Sequence, residues 1–166
     1  SGCTACAVLL TPTHIICANA GDTRAVIKSR GMVTPLSEDH KPDSPNEYAR
    51  ICSSGGFVKS GRVMGELAVS RALGDYAYKK NPGKGPDRQP VSCDPEIRIH
   101  TRCAGDETLV LACDGIWDVM SNTKCIERVH NAMGKEGKLT GKALEIVLDE
   151  CLGLDSMDNM SIVAVD

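Results

Sequence analysis

The feature that most constrains the fold is an apolar stretch, residues 109–113, that ends in two acidic residues flanking a glycine. Its unbroken hydrophobicity is typical of a buried strand. Asp114 follows the stretch, Gly115 permits an unusual backbone angle or the close approach of a ligand, and Asp118 lies one turn later if a helix starts here. Carboxylates at a strand end suit a hard divalent cation, whereas an isolated Asp-Gly more often only caps a helix.

Two other segments also have aspartates at the ends of predicted strands. Asp22 lies in a Gly-Asp turn between β-like runs at 14–19 and 23–29, a pattern that alone predicts a hairpin. Asp158 precedes a terminal strand at 161–165, where an Asx turn explains it equally well. Like charges gathered at strand ends repel one another, so a bound metal is the economical explanation for the set. Its members are Asp22, Asp114, Asp118 and Asp158.

Composition and charge exclude several classes of protein. The chain has 166 residues, of which 42% are hydrophobic, so it can bury a core as one domain. Its formal net charge of −3 gives no reason to expect a nucleic-acid partner. No apolar stretch approaches the length of a membrane span, so we expect no membrane partner either.

The cysteines indicate a reducing environment. There are nine, an odd number, scattered mostly through apolar runs, as expected for free thiols inside the cell, in the cytoplasm or nucleus. Cys3 and Cys6 form a Cys-x-x-Cys pair, but no second pair follows, which argues against a zinc site.

Periodicity and turn residues predict strands followed by helices, and therefore antiparallel sheets covered by helices. A meander of four strands comes first, then a helix that begins near Asp43 and ends at Gly55-Gly56, and a hairpin within 57–66. Residues 67–92 are too irregular and too long for a simple connection, and we interpret them as a flap. The remaining predicted elements are meander strands at 3–10, 14–19, 23–29 and 32–36, later strands at 96–101 and 108–113, and helices from Ser121 to Gly134 and from Thr140 to Gly153.

Nine short motifs occur in an order that resembles one protein family. They are SGCTA (1–5), NAGDTR (19–24), SEDHKP (37–42), GG (55–56), GRV (61–63), LAVSRALGD (67–75), DPEI (94–97), ACDGIWDVM (112–120) and DNMS (158–161). Together they resemble the PPM family of metal-dependent serine/threonine protein phosphatases (type 2C), over essentially the whole chain. The resemblance implies an α+β fold, a four-layer α-β-β-α sandwich of antiparallel sheets flanked by helix pairs, with metal ions at one end of the central sheets.

The resemblance also implies a reaction and roles for individual residues. The reaction is hydrolysis of phosphoserine and phosphothreonine in proteins by a metal-activated water, without a covalent intermediate. Asp114 and Asp158 would ligate one of two catalytic Mg²⁺ or Mn²⁺ ions, and Asp22, Asp114 and Asp118 match positions that hold a third, weaker ion in some members.

Two further residues of the motifs have competing interpretations. Arg71 could bind the substrate phosphate from the flap, and a salt bridge to Asp75, four residues away, is the plainer interpretation. His40 could be an acid or base, and the family analogy favours a structural role near a turn.

Upstream of the first motif, family members carry a phosphate-binding arginine, an acidic pair and an Asp-Gly-His segment, none of which occurs here. We therefore expect residues 1–166 to be the C-terminal portion of one catalytic domain, incomplete at its N-terminus and inactive alone. The missing part, or self-association, would cover its open sheet edges. The alternative is a pseudophosphatase or regulatory binding module that keeps the fold, although the retained aspartates favour the enzyme.

Overall fold

The structure, a computed structural model, describes residues 1–136 and 141–166. Within this part, the helices are α1 (Pro45–Ser53), α2 (Asp114–Trp117), α3 (Asn122–Glu136) and α4 (Gly141–Gly153). The strands are β1 (Gly2–Cys3), β2 (Ala5–Leu10), β3 (His14–Ala20), β4 (Arg24–Ser29), β5 (Met32–Pro35), β6 (Val58–Lys59), β7 (Arg62–Val63), β8 (Leu73–Gly74), β9 (Glu96–Thr101), β10 (Asp106–Ala112) and β11 (Ile162–Val165). No helix of the described ranges is both long enough and apolar enough to cross a bilayer.

The chain divides into two structural units. Unit 1 comprises Ser1–Ala7, Ala18–Thr23 and Glu38–Ile97, and unit 2 comprises Val8–Cys17, Arg24–Ser37 and Arg98–Asp166. A three-stranded sheet has the order β2-β3-β9.

Unit 2 contains a four-stranded antiparallel sheet in the order β11-β10-β4-β5. The central strand β10 is the apolar stretch that the sequence predicted to be buried, and Leu111 lies opposite Ala25 of β4 and Val163 of β11. The consecutive residues Leu109 and Val110 are both buried, so both faces of the strand are covered there, which favours a continuous hydrophobic run. The strand begins at Asp106, two residues before the predicted start.

Helices α3 and α4 build the core of unit 2. The predicted apolar face of α3 is buried, and Val147 and Cys151 of α4 join the same cluster. The helix α3 continues to Glu136, so the predicted end at Gly134 is wrong; one glycine costs a helix only about 1 kcal/mol. Thr140, the predicted first residue of the next helix, lies outside the described residues. The core residues are Val26, Val110, Ala112, Ile116, Trp117, Met120, Cys125, Ile126, Val129, Met133, Val147 and Cys151.

Unit 1 has a smaller core around α1. The helix begins after Ser44 with Pro45 at its first position and ends before Gly55, which has a φ of +88°, as the sequence predicted. Its Ile51 packs with Val63, Ala72 and Val91. The hairpin predicted within residues 57–66 is confirmed as the pair of strands β6 and β7.

The predicted flap has more order than its sequence indicates. Its strand β8 pairs with β1, and Tyr76–Tyr78 and Pro86–Arg88 form 3₁₀ turns. The buried Gln89 side chain closes the intervening loop, because its Nε2 donates to the carbonyl oxygens of Asn81 at 2.9 Å and Lys84 at 2.8 Å. Its Oε1 accepts the Asn81 amide at 3.0 Å. Residues 81–89 therefore form a loop closed by its own hydrogen bonds.

The prediction of a continuous meander is wrong at Gly21-Asp22. Strands β3 and β4 belong to different sheets, so the turn between them is not a hairpin. The backbone of Gly21 (φ +128°) bonds His40: its N–H donates to Nδ1 at 3.2 Å, and its carbonyl accepts the His40 amide at 3.0 Å. Since these groups bond His40 and not a facing strand, the local Gly-Asp signal could not reveal the change of sheet.

Candidate metal centre

The first segment of the candidate site joins β10 to α2 in unit 2. The strand ends at Ala112, and Asp114 is the first residue of the four-residue helix α2. The Trp117 indole Nε1 donates to the Ala112 carbonyl at 2.6 Å, which fixes the short helix against the strand end. The Asp118 amide donates to the Asp114 carbonyl at 2.8 Å. Asp118 therefore lies one turn after Asp114, as predicted, and its side chain is exposed.

The second segment joins α4 to β11. After Gly153 the chain passes through Asp155, whose φ is +62°, a backbone conformation that asparagine and aspartate tolerate better than most residues. Asp158 is exposed, and its Oδ1 accepts the Asn159 amide at 2.7 Å. This bond reaches the next residue, whereas the Asx turn that the sequence offered as the plain alternative to a metal ligand would use the amide two residues on.

Close backbone packing brings these two segments together. A Cβ atom built on Gly115 would lie only 2.4 Å from the Asn159 carbonyl oxygen. Because any other residue would place its Cβ there, only glycine fits without a shift of the backbone. The sequence predicted an unusual backbone angle or the close approach of a ligand at this glycine, but the group that approaches it is the chain's own Asn159 backbone. The Cys113 amide also donates to the Ser161 carbonyl at 3.2 Å. Asp114 and Asp158 each lie within one or two residues of these contacts.

Cys113 adds a second connection through its side chain. Its Sγ donates to the Asn159 carbonyl at 3.3 Å and accepts the Ser161 amide at 3.2 Å. The sequence indicated only a buried thiol at the end of an apolar run, because nothing in a single residue type signals which backbone it will meet. The thiol is half-buried and forms part of the frame of the site.

Asp22 belongs to unit 1 and has a different environment. Its side chain is buried and forms an ion pair with the Lys41 ammonium. Lys41 is part of the SEDHKP motif, so two of the motifs that carry the family resemblance meet in this pair.

The donor set fits a hard divalent cation that keeps part of its water shell. Within residues 1–136 and 141–166, no three His, Cys, Asp or Glu side chains converge closely enough to hold an ion between them. Mg²⁺ is commonly held by one or two carboxylates, with water or phosphate oxygens completing its octahedron. Carboxylate oxygens on two neighbouring segments, as at Asp114 and Asp158, match that requirement.

Arg71, the predicted substrate-binding residue, pairs with Glu47 and not with Asp75. Its Nε donates to Glu47 Oε1 at 3.1 Å, its Nη2 to the same oxygen at 2.7 Å, and its Nη1 to the Asp94 carbonyl at 2.9 Å. The expected spacing of four residues is a helical rule, and residues 71–75 are not helical. The interpretation of a salt bridge to Asp75 is therefore wrong, while the contact with phosphate stays a prediction.

Glu47 is the centre of a buried polar network that the sequence did not reveal. Besides Arg71, it accepts hydrogen bonds from Arg50 Nη2 and Ser70 Oγ, both at 2.5 Å. Burial by itself would raise the pKa of Glu47, but the hydrogen bonds from Arg71, Ser70 and Arg50 outweigh it and lower the pKa to about 2. An acidic residue in the first turn of a helix was the only local signal.

His40 has the structural role that the resemblance favoured. It is buried beside the Gly21 turn, and its Nδ1 lies 3.1 Å from the Gly21 carbonyl oxygen and 3.2 Å from the Gly21 amide. Burial, together with the positive charge of Arg71, lowers the pKa of His40 from its usual value of 6.5. A neutral imidazole packed against a turn is a structural element of unit 1.

Comparison with known proteins decides the family. The model of the family described as protein phosphatase 2C matches residues 1–160. The chain belongs to the protein phosphatase 2C family. It is 50% identical over 165 residues to Protein phosphatase 1B of Rattus norvegicus and 44% identical over 171 residues to Protein phosphatase 2C homolog 3 of Schizosaccharomyces pombe. Both alignments cover 99% of this chain, but only 42% and 41% of those proteins.

Solved structures have the same fold. A phosphatase from Toxoplasma gondii superimposes with a TM-score of 0.85 at 34% identity, covering 91% of this chain and 47% of that one. A sex-determining protein of C. elegans gives a TM-score of 0.76 at 26% identity, covering 97% of this chain and 38% of that one. These similarities confirm the α+β fold class of a protein phosphatase 2C. The chain spans about a third to a half of the length of the curated relatives it matches.

Proposed function

We propose that the protein containing this chain hydrolyses phosphoserine and phosphothreonine in other proteins in a metal-dependent reaction. Membership of the protein phosphatase 2C family supports this reaction class. The observation that carries the proposal is the packing of Gly115 on Asn159, because it brings together the segments that bear Asp114 and Asp158.

In this proposal Asp114 and Asp158 hold one Mg²⁺ or Mn²⁺ ion of a two-ion centre. When bound, such ions acidify a water molecule and neutralise phosphate oxygens during in-line attack on phosphorus. The exposed Asp158 and the half-exposed Asp114 can reach a ligand from solvent without a rearrangement of the core.

Other residues of unit 2 would keep the first segment rigid. The Arg24 guanidinium lies 5.2 Å from the centre of the Trp117 ring, and its Nη1 donates to Asn122 Oδ1. Together with the bond from the indole to Ala112, this fixes the turn that carries Asp114 on the end of β10. Rigid support of this kind keeps ligands in place between turnovers.

Asp118 and Asp22 are proposed ligands of a weaker accessory ion. Asp118 is exposed one turn from Asp114, which supports its assignment. The assignment of Asp22 rests on the family resemblance. Its ion pair with Lys41 means that a cation bound by Asp22 has to share that carboxylate with an ammonium group.

Two broader expectations belong to the same proposal. Residues 1–166 would form part of one catalytic domain in which residues 67–92 act as a flap, and the self-closed loop at 81–89 supports a separate small element there. The nine cysteines, all within the described residues, form no disulfide bond, which supports a reducing compartment, the cytoplasm or nucleus.

The proposal is tested by phosphatase assays on the full-length protein with p-nitrophenyl phosphate and a phosphothreonine peptide at saturating Mn²⁺. Asp158→Asn should reduce kcat by about 100-fold or more, because a metal ligand is lost while no core packing changes. Asp155→Asn is the matched control, since it makes the same change in the same loop three residues earlier. Equal activity of the two variants, or an inactive wild-type protein that binds phosphopeptide, would contradict the proposal and favour a pseudophosphatase.

A further inference from the structure

Ser156 lies two residues before Asp158, and the ligand assignment gives it no role. Its side chain is buried, whereas Asp155, Met157 and Asp158 around it are exposed, Met157 to 96%. A buried hydroxyl group needs a hydrogen-bond partner. Its Oγ donates to the Gly115 carbonyl at 2.6 Å, the shortest described hydrogen bond between these two segments.

The acceptor of this bond lies in the other segment of the candidate site. Gly115 directly follows Asp114, so the bond joins the residue next to one proposed ligand to a residue near the other. The backbone of Ser156 is also held, because its amide donates to the Cys151 carbonyl at the end of α4 at 3.0 Å. Ser156 therefore connects α4, the Asp158 loop and the first turn of α2.

The direction of the loop follows from the same bond. With Ser156 turned inward, the next two side chains, Met157 and Asp158, point to solvent. If the hydroxyl group were absent, the Gly115 carbonyl would lose this donor, while the packing of Asn159 on Gly115 and the Cys113 contacts would remain.

We propose that Ser156 is a positioning residue for the metal centre: its hydroxyl group fixes the Asp158 loop to the turn that carries Asp114. The inference rests on the proposed function, in which both aspartates bind one ion. Residues that orient ligands without touching the metal typically change metal affinity by 10- to 100-fold when they are replaced. The same size of effect is expected here.

The test compares Ser156→Ala with Ser54→Ala in the full-length protein. Ser54 is the matched control, because its hydroxyl group is also buried and also donates to a backbone carbonyl, that of Ile51 at 2.8 Å, in unit 1. Mn²⁺ affinity is measured by calorimetric titration, thermal unfolding is followed without metal, and amide exchange at Asn159 and Ser161 is measured without metal.

We expect both variants to lose a similar amount of thermal stability, and only Ser156→Ala to bind Mn²⁺ at least about 10-fold more weakly. Amide exchange at Asn159 and Ser161 should be faster in Ser156→Ala alone. Wild-type Mn²⁺ affinity in Ser156→Ala, while Asp158→Asn has lost it, would overturn the positioning role and leave the ligand assignment intact. Wild-type affinity in Asp158→Asn would instead overturn the assignment itself, and the positioning role with it.

Discussion

Two acidic side chains, one in each unit, are used in opposite ways. In unit 1 the Glu47 carboxylate is buried, and Arg50, Arg71 and Ser70 donate hydrogen bonds to it. In unit 2 Asp158 is exposed, and its Oδ1 accepts the amide of its own neighbour, Asn159. A buried acid with cationic partners holds structure together, whereas an exposed acid on a rigid backbone keeps oxygen lone pairs for a ligand.

The two regions also differ in what makes them rigid. The Glu47 network is built from side chains, so its geometry depends on charge. The Asp114 and Asp158 segments are joined by uncharged groups, through the backbone at Gly115 and Asn159 and the side chains of Cys113 and Ser156. The comparison predicts that substitutions in the first region change stability, while substitutions in the second change metal affinity.

The largest expected effect is on stability, from Glu47→Gln. Removing the charge leaves Arg50 and Arg71 without their carboxylate partner in a buried site, so the free energy of unfolding should fall by about 3–5 kcal/mol. Mn²⁺ affinity should not change. Denaturant unfolding and calorimetric titration measure the two quantities, with Glu145→Gln on the exposed face of α4 as control. A stable Glu47→Gln protein with weakened Mn²⁺ binding would reverse the comparison.

The same region predicts a dependence of stability on pH. Because the pKa of Glu47 falls from 4.5 to about 2 on folding, its stabilisation is complete above about pH 4.5 and disappears as the pH falls towards 2. The lowered pKa of His40 acts in the same direction below pH 6.5. The difference in unfolding free energy between wild type and Glu47→Gln isolates the Glu47 contribution. This difference in unfolding free energy should decrease by on the order of 3 kcal/mol as the pH falls from 5 to 2. A constant difference would contradict the ion-paired network.

Gly115→Ala tests the second region, where the Asp114 and Asp158 segments meet. Its Cβ would meet the Asn159 carbonyl oxygen at 2.4 Å, so the two ligand segments have to move apart. We expect a loss of about 1–3 kcal/mol in unfolding free energy, together with a loss of Mn²⁺ affinity. Gly153→Ala is the control, because nothing lies within 4 Å of its added Cβ. Wild-type Mn²⁺ binding by Gly115→Ala would show that the contact does not support the site.

A smaller effect separates the proposed ligands from one another. Asp114→Asn should weaken Mn²⁺ binding more than Asp118→Asn, by about 10-fold or more, because Asp114 is assigned to a catalytic ion and Asp118 only to an accessory one. Because Asp118 is exposed, Asp118→Asn should lower the unfolding free energy by no more than about 0.5 kcal/mol. Calorimetric titration of both variants gives the comparison, and equal losses of affinity would remove the distinction between the two sites.

The sequence predicted those parts of the fold that depend on local patterns. The apolar run at β10, the buried face of α3 and the start of α1 at Pro45 are periodic or positional signals, and each is confirmed. The turn at Gly21 was misread, because its partner is His40, nineteen residues away, and a local motif contains no information about such a partner.

The site shows the same limit. The sequence showed the acidic residues at the strand ends and indicated that Gly115 allows a close approach. It did not show that the approaching residue is Asn159. Ser156 was hidden for the same reason, since its importance depends on an acceptor 41 residues away. For Arg71, a local spacing rule predicted a salt bridge to Asp75, whereas in the folded chain its ion-pair partner is Glu47.

The central claim is that Asp114 and Asp158 bind one and the same ion. A double-mutant cycle of Mn²⁺ affinity in the full-length protein, with Asp114→Asn, Asp158→Asn and the combined variant, tests it most directly. We expect each single change to weaken this binding event by about 10-fold or more, and the combined variant to be no weaker than the weaker single variant. Losses that add fully, or two single variants that bind as the wild type does, would contradict the claim.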